Sequence, residues 1–126
     1  MFENAALVAF VPTREPAKAR QFYEQTLGLE FVSEDPFAIV FRAGKVTLRV
    51  ANVSNVLNFT PAPFTILGWE VASAETTVHA LIEKGIHFER YPGVDQNALG
   101  IWRSPSGAQV AWFKDPDGNT LSISQH

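Results

Sequence analysis

Gly28-Leu29-Glu30-Phe31 and Gly85-Ile86-His87-Phe88 decide the fold, because each ends a helical stretch and starts an extended one in the same way. Before the first, residues 5–12 are apolar, and residues 16–27 carry Ala19, Phe22, Tyr23 and Thr26 at helical spacing. Before the second, residues 65–71 are a strand candidate, and residues 74–84 carry Val78, Leu81 and Ile82 on one stripe. After the first, Phe41-Arg42-Ala43-Gly44 leads into Thr47-Leu48-Arg49-Val50. After the second, Phe113-Lys114-Asp115-Pro116-Asp117-Gly118 leads into Thr120-Leu121-Ser122-Ile123. A βαββ-type unit written twice predicts two half-sheets that lean on each other. A cleft between such halves is the natural place for a ligand.

The local signals fill in this outline. The run at residues 5–11 is nearly all apolar, which suits a strand covered on both faces. Pro16 fits a first helical turn, and Gly28 stops that helix. Strands are expected at 29–33, 37–42 and 46–51, followed by an irregular stretch at 52–63 with Pro61 and Pro63. Ser73 is a helix N-cap, and Glu75 suits the first turn. A strand at 87–90 precedes a loop at 91–100 that is long enough to act as a lid. Residues 99–103 and 109–114 form a hairpin around Ser104-Pro105-Ser106-Gly107. Asp115-Pro116-Asp117-Gly118 is a strong turn, and the last strand is 119–124.

The bulk properties narrow the function. A length of 126 residues with 46% hydrophobic content fits one globular domain. A formal charge of -3 argues against a nucleic-acid partner, which requires a basic face. Without cysteine there is no disulfide, thiolate metal site or cysteine nucleophile. The apolar run at 5–12 is too short to span a membrane and has no basic residue before it, so no membrane partner and a cytoplasmic location are expected. No phosphate-binding glycine loop, dinucleotide fingerprint or nucleophile-elbow serine is present.

Ala19-Arg20-Gln21-Phe22-Tyr23 with Leu27-Gly28-Leu29, followed much later by Phe113-Lys114-Asp115-Pro116-Asp117-Gly118-Asn119, resembles the vicinal oxygen chelate superfamily. That group takes in glyoxalase I, bleomycin-resistance proteins and extradiol dioxygenases. The resemblance covers almost the whole chain. It implies an α+β fold of two βαβββ modules forming a cup-shaped mixed sheet with helices outside. Module one would be residues 1–53, the linker 54–64 and module two 65–126, all in one domain. In metal-using members, four side chains at the base of the cup hold a divalent ion. Here the matching positions fall on Val8, Arg49, Ile66 and Ser122. Such an ion needs oxygen or imidazole donors. Glu70 is on the module-two opening strand but beyond the matching place, so neither a metal nor another cofactor is expected.

The candidate ligand-binding residues are Arg49, Glu70, Tyr91, Trp102, Trp112 and Ser122. Alternation turns Leu48 and Val50 to the helix and Arg49 to the cup, where a guanidinium suits an anion. A salt bridge to Glu70 is the other reading. Glu70 shares that face by the same parity and is either a pairing partner or a base. Trp102 and Trp112 on neighbouring strands make either a stacking wall or core, and Trp69 is core under the second helix. Tyr91 begins the loop. His79 reads as a solvated helix residue beside Glu75 and Glu83. The expected function is metal-independent binding of a small organic ligand, anionic in one version, by a homodimer. Two alternatives are a metal-dependent lyase, isomerase or dioxygenase of the same group, and a structural dimerisation module.

Overall fold

The computed structural model describes residues 1–55 and 58–126; Val56 and Leu57, within the stretch read as the linker, lie outside the described residues. The chain divides into two compact units, Met1–Thr60 and Pro61–His126. The first unit runs β1 (Val8–Thr13), α1 (Pro16–Gln21), β2 (Glu30–Glu34), β3 (Ala38–Ala43) and β4 (Val46–Asn52). The second runs β5 (Leu67–Glu70), α2 (Ala74–Glu83), β6 (Trp102–Arg103), β7 (Gln109–Lys114) and β8 (Thr120–Gln125). The sheets are ordered β1-β4-β3-β2 and β5-β8-β7-β6. In each, the opening strand lies parallel to the last, and the other pairings are antiparallel. The repeat in the sequence is therefore a repeat in topology: two four-stranded mixed sheets, each with its own helix.

In the first unit, α1 packs on β3 and β4. Ala19, Phe22 and Tyr23 are buried against Ile39, Phe41, Leu48 and Val50. The rings of Tyr23 and Phe41 lie 6.0 Å apart, and those of Phe22 and Tyr23 5.1 Å. Arg20, the charged member of the Ala19–Tyr23 stretch, stacks its guanidinium 3.9 Å from the centre of the Phe31 ring and pairs with Glu34 at 3.0 Å. The predicted single helix is α-helical only to Gln21. Residues Phe22–Thr26 widen into a π-turn, with Leu27 N–H donating to Phe22 C=O, before Gly28 leaves at φ 72°.

In the second unit, α2 packs on β7 and β8, with Val78 and Leu81 buried against the sheet. Ser73 caps the helix, its hydroxyl accepting from Thr76 N–H at 3.1 Å. The Asp115 turn is held from inside. Asp115 Oδ1 accepts from the N–H groups of Asp117 and Asn119, and Oδ2 accepts from Asn119 Nδ2, all at 2.9 Å.

Four expectations need correction. The run at 5–11 is not covered on both faces: the strand starts only at Val8, and Leu7 and Phe10 are 67% and 62% exposed. As the edge strand of its sheet, β1 buries one face only, through Val11 and Thr13. No strand forms at 87–90; a single bridge joins Phe88 to Phe113. The 99–103 strand shrinks to Trp102–Arg103. Ile82 leaves the buried stripe and is 44% exposed. Among the described residues, no helix is long and apolar enough to cross a membrane.

Removing the Asp115 carboxylate strands several buried donors at once, so Asp115→Ala is expected to cost about 3 kcal/mol or more. Ser73→Ala removes one exposed cap and is expected to cost about 1 kcal/mol. Urea unfolding of both variants checks the order; equal losses would show that the turn does not depend on the carboxylate.

Candidate functional site

Strand register sorts the side chains of each sheet onto two faces. In the second unit, Leu121, Ile123, Ala111 and Phe113 are buried on the α2 side. The opposite face carries Gly68, Ser122 and Trp112 in one row across β5, β8 and β7. The next row is Glu70, Ser124, Val110 and Trp102, and on the other flank stand Thr120 and Lys114. Trp69 lies on the α2 side by parity and is half-buried.

The aromatic residues on this face form a continuous wall. The Trp102 and Trp112 rings are 6.1 Å apart at 32°, and Tyr91 meets Trp112 edge-on at 5.4 Å and 77°. All three are half-buried, which leaves ring surface free for a planar ligand. Burial, and then the nearby Glu89 charge, push the Tyr91 phenol above its ordinary pKa. A tyrosine hydroxyl is protonated at neutral pH with or without that shift, so it can donate. Next to the wall is a cavity of about 340 Å³ lined by Pro61, Pro63, Tyr91, Lys114, Gly118 and Thr120. Lys114 brings a cation, balanced in part by Glu89 at 3.5 Å.

Gly68 is the residue that sequence reasoning missed. A Cβ built there would lie 2.8 Å from Ser122 Oγ and 3.2 Å from its backbone oxygen. The serine hydroxyl thus occupies the space a side chain at 68 would need. Ser122 is half-buried and its hydroxyl makes no hydrogen bond among the described residues, so it is available to a ligand. A glycine inside a short strand is itself the signal for such a close approach.

The loop at 91–100 is not a free lid. Gln96 Oε1 accepts from Tyr91 N–H at 2.9 Å, and its Nε2 donates to the carbonyls of Glu89 and Gly100, both at 2.8 Å. Asn97 Oδ1 accepts from the N–H groups of Leu99 and Ile101. Arg90 Nη2 donates to Ala98 C=O at 2.7 Å. A loop stitched at this many points holds Tyr91 in place.

Tyr91, Trp102, Trp112, Ser122 and the exposed Glu70 are thus brought to one side of the second unit. Arg49 belongs to the first unit. It stands on the face opposite Leu48 and Val50, in register with Phe10 and Val40. On the same face Arg42 is paired with Glu30 at 2.9 Å. Arg49 and Glu70 make no ion pair among the described residues. The Asp35 carboxyl is held below its usual range, chiefly by N–H donors from Phe37 and Ala38 and to a lesser degree by Arg49.

The donor set does not fit a divalent metal. Register pairs Arg49 with Phe10, not Val8, and Ser122 with Gly68, not Ile66, the same displacement in both units. Neither choice supplies a carboxylate or an imidazole. Among the described residues, no group of three or more histidine or acidic side chains could hold an ion.

The family described as the Glyoxalase/Bleomycin resistance protein/Dioxygenase superfamily matches residues 6–123. Comparison with curated proteins returns no match. Among solved structures, a member of the same superfamily from Sphaerobacter thermophilus DSM 20745 superposes with a TM-score of 0.77 at 19% identity, covering 100% of both chains. A lactoylglutathione lyase from Agrobacterium tumefaciens gives a TM-score of 0.74 at 17% identity, covering 97% of this chain and 93% of its own. TnmS3, an antibiotic binding protein from Streptomyces sp. CB03234, gives 0.70 at 19% identity, covering 99% and 98%. At these identities the likeness is one of fold. With the family matched over nearly its full length, the chain belongs to the glyoxalase/bleomycin resistance protein/dioxygenase superfamily.

Proposed function

We propose that this protein binds a small planar organic molecule without using a metal, and holds it rather than transforming it. The observation that carries the reading is the Tyr91–Trp112–Trp102 wall with the unpartnered Ser122 hydroxyl in the same row as Trp112. Flat apolar surface offers stacking, and the hydroxyl and phenol offer orientation. At the positions that the resemblance matches to metal ligands, Val8, Arg49, Ile66 and Ser122, the chain carries no carboxylate or imidazole, which supports this reading. A fold neighbour described as an antibiotic binding protein fits the same class of activity.

The probe is 2-naphthoate, followed by quenching of tryptophan fluorescence. Saturable binding supports the reading. Trp112→Ala should then weaken it about tenfold, close to 1.4 kcal/mol. Gly68→Ala should fold normally yet also weaken binding, since the new Cβ displaces the Ser122 hydroxyl. Unchanged affinity in both variants would move the ligand away from this face.

Arg49 is proposed to receive an anionic group. A half-buried guanidinium that makes no ion pair among the described residues, with only the exposed Asp35 charge nearby, has room for an anion from outside. Arg49→Met should leave the melting temperature of the free protein unchanged and cost a simple carboxylate such as benzoate roughly 2–5 kcal/mol, while sparing the uncharged benzamide. Unchanged benzoate affinity, or equal losses for both probes, would rule out an anion anchor on the first unit.

The protein is further proposed to be a homodimer. Edge strand β1 and the segment before it expose Phe2, Leu7, Val8 and Phe10, an apolar surface that a second copy can cover. Light scattering should give twice the 13.9 kDa chain mass, and Phe10→Glu should shift it to the single-chain value. A single-chain mass for the unaltered protein at micromolar concentration overturns this.

A further inference from the structure

We propose that the second unit holds a separate ligand site on the α2 side of its sheet, suited to a short alkyl carboxylate. A cavity of about 250 Å³ opens there, with Ile82, Ile86, Phe88 and Leu99 as its apolar lining, Arg90 as its cationic group and His87 at its border. Strand-like alternation separates it from the aromatic wall. The segment after α2 runs beside β7, bridged at Phe88–Phe113 and tied by Glu89 N–H to Trp112 C=O at 2.8 Å. Phe88 stacks 5.5 Å from Phe113, a residue of the α2 side, whereas Glu89 reaches Lys114 on the other face. Ile86 and Arg90 share the parity of Phe88 and line the cavity with it.

The apolar side chains around this space are unfilled rather than packed. Ile82, on the buried stripe by sequence, is 44% exposed at the cavity, and Ile86, Phe88 and Leu99 are only half-buried. At roughly 30 Å³ per water, the volume corresponds to about eight waters, enough for an alkyl chain with a small head group. The charge favours an anion. The lining contains no acid, and neither Arg90 nor His87 makes an ion pair among the described residues. The Arg90 guanidinium is fixed by the Ala98 carbonyl at 2.7 Å and the Gln96 carbonyl at 3.5 Å, and its remaining N–H groups stay available for a carboxylate. A guanidinium held by backbone at the margin of an apolar cavity is pre-organised for an amphiphilic monoanion.

The test is calorimetric titration of the full chain with hexanoate, with hexanol as the uncharged match. Hexanoate is expected to bind one per chain and at least fivefold more tightly than hexanol. Ala98→Phe fills the cavity at an exposed position and leaves the carbonyl that holds Arg90; it should weaken hexanoate at least tenfold. Arg90→Gln should do the same, and its melting curve reports whether the loop survives the change. Trp112→Ala should leave hexanoate affinity unchanged, which separates this site from the aromatic face whatever the fate of the naphthoate experiment. No saturable binding, equal affinity for hexanol, unchanged affinity in Ala98→Phe, or loss in Trp112→Ala would each overturn the proposal.

Discussion

Closing one face of a sheet with a helix commits every second residue to the other face. This constraint organises both units. In the first, α1 takes Ile39, Phe41, Leu48 and Val50, which leaves Arg49 and Arg42 on the far side. In the second, α2 takes Ala111, Phe113, Leu121 and Ile123, which leaves Trp112 and Ser122 there. Neither a slip in register nor a shift of the helix is tolerable, because a slip of one residue exchanges core for surface along the whole strand. The aromatic wall is thus a consequence of burying the residues between its members.

The repeat preserves topology while its surfaces diverge. The first unit places Arg42, paired with Glu30, and Arg49, which makes no ion pair among the described residues, on the face away from its helix, with an apolar edge strand alongside. The second places aromatic rings and hydroxyls on the equivalent face. Register puts Phe10 beside Arg49 in one unit and Gly68 beside Ser122 in the other, so corresponding positions carry opposite demands on space: a large ring in one and no side chain in the other.

Much of this was legible in the sequence, for physical reasons. The glycine exits, the buried stripes and the Asp115 turn have local causes, so residues 109–114 match β7 to the residue. Period-two alternation turns Arg49 and Glu70 away from the helices, whereas Trp102 and Trp112 read equally as wall or core until the register is known, and Ser122 is singled out only by the resemblance. What failed depends on partners distant in sequence. Hydrophobicity makes β1 look covered on both faces, but only the face of Val11 and Thr13 is buried, and the face of Phe10 is left exposed. The 87–90 strand is cut to one bridge because Gln96 and Arg90 draw the chain that follows into a stitched loop. The cavity beside Tyr91 draws on residues 61–63, read only as linker, and Gly68 acquires meaning only when Ser122 is known to stand against it.

The Gln96 amide has a consequence for the chemical ageing of the protein. Its oxygen faces a donor and its nitrogen faces two carbonyls, so the side chain is bound in a single orientation. Deamidation to glutamate keeps the size but turns the donor into a second acceptor, aimed at the Glu89 and Gly100 carbonyl oxygens. Repulsion then replaces two hydrogen bonds at the point where the loop is fastened. An old sample of this protein would lose the fixed position of Tyr91 through one atom, nitrogen to oxygen, with nearly no change in mass and none in chain length.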